Sequence, residues 1–520
     1  MNGVIRVPQP INEPVKSYAP GSPERASLKA RLRDLKATEV EVPLIIGGEE
    51  VRTGRLGTCV IPHAHGHVLA RYHKAGKAEV ERAVAAAAQA RRTWSRMPWH
   101  ERAAVLLRAA ELLAGPWRDT LNASTMLGQS KTAHQAEIDS ACEVIDFWRF
   151  NPYFAQRIYE DQPISSPGMW NRVEYRALDG FVFAVTPFNF TSIGANLPTS
   201  PALMGNTVLW KPASTGVYPA YFNMKLLMAA GLPPGVINLV VGSGGEVGDP
   251  VLASPEFAGL HFTGSTAVFQ AMWKSIGANM PRYRTYPRIV GETGGKDFVF
   301  AHVSADADAL ATALLRGAFE YQGQKCSAAS RAYIPKALWP RVKDRLLGML
   351  AEVRVGDIED FTNFMGAVID KAAFESIKEY IEYARAASDA EILFGGVCDD
   401  SVGYFIQPTI VRDISDGHTI VDEEQFGPIL PVIAFSDVDD VVRCVNSSEY
   451  GLGGSIWSKD VERAAAIAER IESGQMWVNQ HIAIGPHIPM AGFKNSGLGV
   501  EQSVEGLAEY TQLQVINIKR

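Results

Sequence analysis

The sequence predicts an α/β protein with two doubly wound domains, each built around a parallel sheet. Short apolar runs at 181–185, 207–210, 237–241, 260–263 and 298–300 alternate with stretches long enough for one helix each. This alternation is typical of βαβ units whose strands are buried on both faces. A second alternating block covers about 311–473, and the 520 residues exceed a single-core domain of about 100–150 residues several times over.

Amphipathic helices are predicted around these strands. Apolar residues at helical spacing, beginning with Val80, indicate a helix over 78–94. The stretch 99–150 is rich in Ala, Leu and Glu, and we expect it to be helical as well. A later helix is expected over 461–471, closed by Gly474 as its C-cap.

The first forty residues are rich in proline and charge and have no apolar period before Leu44. We expect this segment, 1–40, to form an extended or helical arm over the surface. Residues 1–20 lack the apolar core of a secretory signal, and Glu13 and Glu24 disfavour an Arg-rich transit peptide. These features predict a cytoplasmic location.

The composition excludes several classes of protein. The 50 Lys and Arg residues against 57 Asp and Glu residues give a net charge of −7, and 47% of the residues are hydrophobic, as in ordinary globular proteins. No basic stripe indicates a nucleic-acid partner, and no apolar run approaches the roughly 20 residues needed to cross a membrane. The five cysteines include no C-x-x-C pair, which favours free thiols in a reducing compartment.

Three histidines, His63, His65 and His67, alternate as they would along a strand. Metal sites usually combine histidine with cysteine or carboxylate ligands, and the pattern offers neither. A surface strand is therefore the preferred interpretation, and no metal ion is expected.

Cys326 has the most reactive surroundings of the five cysteines, because it lies among small residues and follows Lys325, whose charge favours a thiolate. A buried packing role is the usual alternative, and we expect it for the other four. A nucleophilic cysteine also needs a base. Glu292 is a candidate because it follows an apolar run and precedes Gly294 and Gly295, although a solvated turn glutamate is the alternative.

Further polar groups follow the predicted strands of the first block. Asn189 comes after the first strand, where a side-chain amide is well placed to donate to a developing oxyanion. Lys211 ends the next strand, where a cation can bind ribose or phosphate. Gly264 and Ser265 join a later strand to a helix, where pyrophosphate meets helix amides. For each of them, an ordinary turn or solvated position is the alternative.

Taken in order, seven motifs resemble those of the aldehyde dehydrogenase superfamily. They lie at 187–190, 210–212, 262–265, 292–296, 323–326, 424–428 and 492–497 and are distributed over most of the chain. The stretches 135–139, 188–194, 201–206, 319–328 and 398–405 are similar to one branch of it. That branch oxidises L-glutamate γ-semialdehyde, formed from 1-pyrroline-5-carboxylate, to L-glutamate in proline degradation, with NAD as the cofactor.

The resemblance implies a role for each matching residue. Cys326 would attack the aldehyde to form a thiohemiacetal, Asn189 would hold the oxyanion, and Glu292 would activate the water that hydrolyses the thioester. The implied cofactor contacts are Pro187, Lys211, Gly264, Ser265, Glu424 and Phe426. The implied substrate contacts are Glu137, Phe190 and Ser327.

Two segments depart from the family pattern. Ser214 stands where many NAD-preferring members carry a glutamate that binds the ribose hydroxyls, which leaves NADP open as a cofactor. Residues 480–487 replace a longer loop that grips the substrate α-carboxylate in the semialdehyde branch. A broad-specificity NAD(P)-dependent dehydrogenase of another small aldehyde is therefore an alternative function. A non-catalytic nucleotide-binding scaffold is a further one.

The resemblance also implies the domain organisation and the partners. We expect an N-terminal arm at 1–40, an NAD-binding domain at 41–295 with an oligomerisation segment near 151–178, a catalytic domain at 296–490, and a C-terminal return with an oligomerisation strand at 491–520. The oligomerisation segment and strand would form a small β extension through which a homodimer or larger homo-oligomer assembles, with 513–518 as an edge strand. The other implied partner is the small-molecule aldehyde.

Overall fold

Two large, mostly parallel sheets with helices packed against them form the protein, which confirms the predicted α/β class with parallel-sheet domains. The computed structural model describes residues 5–414 and 417–519. Residues 1–4 of the predicted arm and residue 520 of the predicted C-terminal return lie outside the described residues. Within the described ranges, no helix is both long and apolar enough to cross a membrane.

The helices, in chain order, are α1 (Pro23–Lys36), α2 (Lys77–Trp94), α3 (Trp99–Ala114), α4 (Arg118–Gln129), α5 (Ala133–Ala136), a π-helical segment (Glu137–Glu143), α6 (Val144–Glu160), α7 (Thr191–Leu203), α8 (Val217–Ala229), α9 (Gly244–Leu252), α10 (Thr266–Asn279), α11 (Ala307–Phe319), α12 (Trp339–Glu352), α13 (Lys371–Ala386), α14 (Thr419–Asp422), α15 (Val438–Ser447), α16 (Val461–Ala468) and α17 (Ser503–Ala508). Short 3-10 turns lie at Ser214–Gly216, Met280–Arg282 and Glu320–Gly323.

The strands, in the same order, are β1 (Val40–Val42), β2 (Leu44–Ile46), β3 (Glu49–Val51), β4 (Leu56–Ile61), β5 (Ala64–His73), β6 (Met169–Ala177), β7 (Phe181–Thr186), β8 (Thr207–Pro212), β9 (Ile237–Leu239), β10 (Phe257–Thr263), β11 (Arg288–Glu292), β12 (Phe298–Ala301), β13 (Arg331–Pro335), β14 (Glu391–Phe394), β15 (Cys398–Asp399), β16 (Phe405–Ile406), β17 (Thr409–Arg412), β18 (Ile429–Phe435), β19 (Tyr450–Gly451), β20 (Gly453–Trp457), β21 (Gln475–Val478), β22 (Phe493–Lys494), β23 (Gly497–Leu498) and β24 (Thr511–Lys519).

The first large sheet has the strand order β23-β11-β10-β7-β8-β9-β2-β3. The run from β11 to β9 is parallel, whereas β23, β2 and β3 are antiparallel additions at the two sides. The side chains of β7 and β10 are almost entirely buried, as expected of strands covered on both faces. Because the strands are parallel, the carboxyl ends of β7, β8, β10 and β11 meet at one edge of the sheet.

The second large sheet has the order β14-β17-β18-β13-β12-β20-β21, and only β14 in it is antiparallel. A link of a few residues joins β11 of the first sheet to β12 of the second. Later, β23 returns to the first sheet and pairs Gly497 with Glu292. The end of β11 therefore lies where the two sheets meet.

A two-stranded antiparallel ribbon stands apart from these sheets. It pairs β6 with β24 over nine residues on each strand, from Thr511 opposite Ala177 to Lys519 opposite Met169. Large apolar side chains such as Leu513 and Val515 are exposed on it. A separate three-stranded sheet has the order β1-β5-β4.

The N-terminal arm is ordered and docked over residues 5–36. The hydroxyl of Tyr18, which is 3% exposed, donates to Glu137 Oε2 at 2.7 Å. The Arg118 guanidinium forms ion pairs with both Glu137 and Glu13, and the side chains of Arg118 and Glu137 are 2% and 0% exposed. Burial of apolar residues such as Leu28 on α1 adds to this attachment.

One predicted helix end is wrong. Helix α16 ends at Ala468 with Glu469 as its C-cap, so Gly474 does not cap it. Gly474 is needed for a different reason, because a Cβ there would lie 1.6 Å from the backbone oxygen of Ala491. The stretch 99–150, expected to be helical, is helical but divided among α3 to α6.

The surface-strand interpretation is wrong for His63. This residue precedes β5 and is 3% exposed, with Nδ1 3.0 Å from Ser130 Oγ. Its Nε2 lies 3.4 Å from a carboxylate oxygen of Asp357, a partner 294 residues away that no local pattern could reveal. His65 and His67 do lie on β5.

We expect Glu137→Ala to destabilise the protein by about 3 kcal/mol, because it removes a carboxylate that pairs with a buried guanidinium. Thermal unfolding followed by circular dichroism measures the effect as a lower midpoint. Glu39→Ala is the matched control, since Glu39 forms an exposed ion pair with Arg71. Its removal should cost less than about 1 kcal/mol. An equal decrease of the unfolding midpoint in the two variants would contradict the expectation that the buried ion pair stabilises the protein more than the exposed one.

Candidate active site

A cavity of about 770 Å³ lies beside Cys326 and Glu292. Residues of the π-helical segment, α6 and α7 form one side of the cavity, and α11 with the segment 479–490 forms the other. The remaining sequence-predicted residues in its wall are Phe190 and Ser327. The cavity is therefore the natural place for a substrate of the Cys326 thiol.

The loop before Cys326 has an unusual backbone. Tyr321 and Gln322 have φ values of 51° and 58°, and Gly323 has a φ of 68°. Non-glycine residues rarely adopt this left-handed region, so the surrounding structure must hold them there. A Cβ on Gly323 would lie 2.3 Å from the Gly427 carbonyl oxygen, and this close contact explains the glycine.

Two glutamine side chains anchor this loop. The Gln322 amide donates to the carbonyl oxygens of Ser130 and Ala367 and accepts from a backbone N–H at 3.2 Å. The Gln324 side chain accepts from the backbone N–H of Ile369 at 2.9 Å. These buried hydrogen bonds fix the backbone that leads to Cys326.

Glu292 is the last residue of β11 and faces Cys326. Its Oε1 atom lies 3.9 Å from the Cys326 Sγ atom. Burial raises the pKa of Glu292 to about 7, and burial together with the neighbouring Glu292 raises the pKa of the Cys326 thiol. Near neutral pH the thiol is thus protonated and adjacent to a carboxyl group able to accept its proton.

A second buried carboxyl group, that of Glu501, lies next to Glu292. Glu501 hydrogen-bonds to Glu292 and accepts from the Thr263 hydroxyl at 2.8 Å. Burial and the proximity of Glu292 raise the pKa of Glu501 well above its usual value. Two carboxyl groups in such contact share a proton, and they titrate as a pair.

Asn189 is 4% exposed and lies just beyond the end of β7. Its Nδ2 donates to the backbone oxygen of Gln324 at 3.0 Å, two residues before Cys326. A side-chain amide carries a second N–H, which the described residues leave without a partner. The structure therefore places Asn189 beside the Cys326 loop.

The residues predicted for the cofactor lie at the carboxyl edge of the first sheet. Lys211 lies on β8, and no described residue hydrogen-bonds its ammonium group, while burial lowers its pKa. Ser265 precedes α10, and its hydroxyl does not cap that helix. A Cβ on Gly264 would lie 2.8 Å from the Phe262 ring. The ammonium group of Lys211 and the N-terminal amides of α10, which no side chain caps, suit the binding of an anionic dinucleotide.

The other predicted cofactor residues lie in loops, Pro187 after β7 of the first sheet and Glu424 and Phe426 before β18 of the second. Glu424 Oε1 accepts from the Gly295 N–H at 2.8 Å, and burial raises the pKa of Glu424 to about 7. A Cβ on Gly294 would lie 2.4 Å from the same carboxylate, which keeps the two segments in close contact. Phe426 has a φ of 52° and packs edge-on against Phe188, the residue after Pro187.

His481 connects the cavity wall to the nucleophile segment. Its Nε2 lies 3.1 Å from the Ser327 backbone oxygen, and its Nδ1 lies 3.0 Å from Ser455 Oγ. The Trp477 indole N–H donates to the Ala483 carbonyl at 3.0 Å and fixes the same loop. The segment 480–487 is thus held by a local hydrogen bond from Trp477 and by long-range contacts with Ser327 and Ser455.

Glu137 does not line the cavity, contrary to the expectation of a substrate contact. Its carboxylate accepts from Tyr18, Arg118 and Asn122 on the side facing the arm. The π-helical segment separates it from Glu143, which does line the cavity and accepts from the Ser192 hydroxyl at 2.8 Å. These two carboxylates therefore have different surroundings, one under the arm and one at the cavity.

Several cavity and site residues were missed from the sequence alone. They are Glu143, Asp146, Glu501, His481 and the arm residue Asn12. A helical projection could have paired Glu143 with Asp146, since they are three residues apart. The others are brought to the site by long-range packing, for which the sequence held no local signal.

The fold and this geometry define a class of protein. The Aldehyde dehydrogenase family matches residues 53–516, and the chain belongs to that family. More particularly, it is similar to delta-1-pyrroline-5-carboxylate dehydrogenases. The mitochondrial one of Dictyostelium discoideum is 47% identical over 87% of this chain and 82% of that protein.

Solved structures give the same result. The delta-pyrroline-5-carboxylate dehydrogenase of Mycobacterium tuberculosis bound with NAD is 48% identical, has a TM-score of 0.93, and is matched over 100% of this chain and 97% of that one. The 1-pyrroline-5-carboxylate dehydrogenase from Thermus with bound NAD is 30% identical at a TM-score of 0.93, over 99% and 100% of the two chains. The similarity thus extends over whole chains.

We expect Gly323→Ala to lower kcat/KM by about 100-fold, because the added methyl group would displace the Cys326 loop from the Gly427 carbonyl. Steady-state kinetics, with circular dichroism to verify folding, measures this. Gly348→Ala on α12 is the control, since nothing lies within 4 Å of its added Cβ. An active Gly323→Ala enzyme would show that the loop tolerates a shift.

Proposed function

We propose that this chain oxidises L-glutamate γ-semialdehyde, formed from 1-pyrroline-5-carboxylate, to L-glutamate with NAD, in proline degradation. The observation that carries the proposal is the Cys326 thiol 3.9 Å from the Glu292 carboxylate in a cavity of about 770 Å³. Sequence identity of 47–48% to dehydrogenases of that name supports the substrate. The chain is accordingly an oxidoreductase that acts on an aldehyde group.

NAD fits the donors at the carboxyl edge of the first sheet. Lys211 and the amides that follow Ser265 would bind its ribose and pyrophosphate, and Glu424 its nicotinamide ribose. When bound, NAD supplies the nicotinamide ring that accepts a hydride. Ser214 is exposed and carries no charge, so the preference for NAD over NADP must come from other contacts.

In the first half of the reaction, Glu292 accepts the Cys326 proton, either directly or through a water molecule. The thiolate attacks the aldehyde carbon and forms a thiohemiacetal, whose oxyanion receives hydrogen bonds from Asn189 Nδ2 and the Cys326 N–H. The anchored loop keeps the sulfur in place while this bond forms. Loss of hydride then leaves a thioester on Cys326.

Between the two halves, Glu292 releases the proton it took from Cys326 to solvent and is again ionised. In the second half, Glu292 takes a proton from a water molecule that attacks the thioester carbon. The carbon–sulfur bond breaks, L-glutamate leaves, and Glu292 passes its proton to the Cys326 thiolate. The hydrogen bond between Glu292 and Glu501 offers a second carboxyl group to hold a proton during this step. Buried carboxyl groups with raised pKa values suit base catalysis near neutral pH.

A second candidate substrate is a less polar aldehyde. Ile482, Ala483 and Ile484 line the cavity where the semialdehyde branch has a carboxylate-gripping loop. Apolar side chains there favour aliphatic substrates. The ratio of kcat/KM for glutamate semialdehyde and for hexanal separates the two candidates, and a ratio below one would favour the second.

We propose a reducing compartment for the chain, because Cys326 must remain a thiol to act. The cytoplasm meets this requirement, and so does the mitochondrial compartment named for the Dictyostelium discoideum relative. Localisation of a tagged chain in its own cell tests the cytoplasmic choice.

We also propose that the chain forms a homo-oligomer through the β6–β24 ribbon. The exposed apolar side chains of Leu513 and Val515 support this, since a projecting ribbon with such residues suits pairing with another copy. Light scattering after size exclusion would give the mass, and a monomer would contradict the proposal.

We expect Cys326→Ala to abolish NADH formation from every aldehyde, because no other thiol lines the cavity among the described residues. Absorbance at the NADH band measures turnover. Cys398→Ala, which removes a partly buried thiol on β15, is the control and should retain activity. Turnover by the Cys326→Ala enzyme would overturn the mechanism.

Activity should fall as the pH drops through about 7, because Glu292 acts as a base only when ionised and its pKa is raised to about 7. Glu292→Gln should lower kcat by about 100-fold or more and remove this acidic limb. A pH profile of kcat measures both effects. Glu462→Gln, an exposed substitution on α16, should leave the profile as it is. An unchanged limb in Glu292→Gln would assign it to another group.

A further inference from the structure

The N-terminal arm reaches the substrate cavity. Asn12, on the arm, lines the cavity together with Asp146 of α6. Asn12 Nδ2 donates to Asp146 Oδ2 at 2.7 Å, and the backbone N–H of Glu13 donates to Asp146 Oδ1 at 2.7 Å. Each carboxylate oxygen of Asp146 is therefore held by the arm.

The arm is firmly attached on both sides of this contact. The backbone N–H of Val7 donates to Gln156 at 2.7 Å, and the backbone N–H of Lys16 donates to Glu137 at 2.8 Å. The Glu13 carboxylate pairs with Arg118 and with Arg149. Asn12 thus lies on a fixed segment that is part of the cavity wall.

Two of the other acidic groups in the cavity wall already have a cation beside them. Asp139 pairs with Lys131 at 2.6 Å, and Glu320 pairs with Lys325 at 3.3 Å. A buried or half-buried anion with a cationic partner has little need of another. These groups therefore leave little demand for a positive charge on the substrate.

Asp146 has a different environment. Its direct partners are the neutral donors of Asn12 and Glu13, and burial raises its pKa while these hydrogen bonds oppose the rise. The Arg149 guanidinium acts on Asp146 through space, because its nitrogens pair with Glu13 and Glu111. Glu143 in the same wall also has no cation in direct contact, but burial and the neighbouring Asp139 raise its pKa to about 7, and it accepts from the Ser192 hydroxyl. Asp146 is thus a cavity carboxylate whose direct partners are neutral donors alone.

A carboxylate with two lone-pair sites still open is a receptor for an ammonium group. The semialdehyde of the proposed function carries one on its α-carbon. We infer that the N-terminal arm is part of the substrate site, in which Asn12 and the Glu13 N–H hold Asp146 so that its carboxylate binds the substrate's ammonium group. This inference rests on the proposed function for its substrate, but its ligand chemistry can be tested separately.

The two residues have different tasks in this arrangement. Asp146 is a binding residue that discriminates aldehydes with an ammonium group from those without one. Asn12 is a positioning residue, because it acts on the substrate through Asp146. Residues 480–486 also line this cavity.

The test compares substrates that differ only in the ammonium group. L-Glutamate γ-semialdehyde and 5-oxopentanoate form one pair, and 4-aminobutanal and butanal form a second pair without a carboxylate. The quantity measured is the ratio of kcat/KM within each pair. Because common changes in folding or catalysis cancel in this ratio, it isolates the contribution of the ammonium group.

Asp146→Asn should lower both ratios by about tenfold or more, since it keeps the shape and removes the charge. The loss should fall on KM more than on kcat. Asn12→Ala should lower the ratios in the same direction by a smaller factor, because it removes one of the two donors that hold Asp146. Lys16→Ala is the control, since Lys16 docks through its backbone N–H, and it should leave both ratios as in the wild type.

Equal losses for both members of a pair would overturn the inference and assign Asp146 to packing alone. Unchanged ratios in Asn12→Ala would remove the arm from the site. If the wild type oxidises 5-oxopentanoate and butanal but not glutamate semialdehyde, the proposed function fails by itself. The 4-aminobutanal and butanal pair then decides whether Asp146 binds an ammonium group.

Discussion

The site depends on a short run of left-handed backbone just before the nucleophile. Tyr321, Gln322 and Gly323 turn the chain so that Cys326, which leads into the second sheet, faces the end of a strand of the first. Two buried glutamine side chains and a close glycine contact stabilise a conformation that costs about 1–3 kcal/mol per strained residue. Without this turn, the Cys326 sulfur would not lie within reach of the Glu292 carboxylate.

Local signals in the sequence predicted most of the architecture. Buried parallel strands appear as short apolar runs, and functional groups follow them at the carboxyl edge, as Asn189 and Lys211 do. The Cys326 and Glu292 motifs were found by a different signal, the neighbouring glycines, which allow other backbone or side chains to approach closely. What the sequence could not provide was their distance, which depends on how two sheets meet.

Long-range charge pairing places Glu137 and His63 where the sequence did not indicate. Glu137 lies in a motif of the family, yet its partners Tyr18 and Arg118 come from the arm and from α4, and they direct it away from the cavity. His63 is buried beside a carboxylate from a distant loop. A buried charge is placed by whichever partner stabilises it, and the identity of that partner is a tertiary property. Periodicity cannot supply it.

The π-helical segment Glu137–Glu143 has a consequence for the evolution of the chain. An α-helix advances about 100° per residue, so deleting one residue from this segment would restore a regular helix and rotate everything beyond it by roughly that angle. Glu143 and Asp146 would then leave the cavity, while Glu137 would keep its place under the arm. Insertions and deletions here are thus far less tolerable than substitutions, and the length of this segment should be more constrained than its composition.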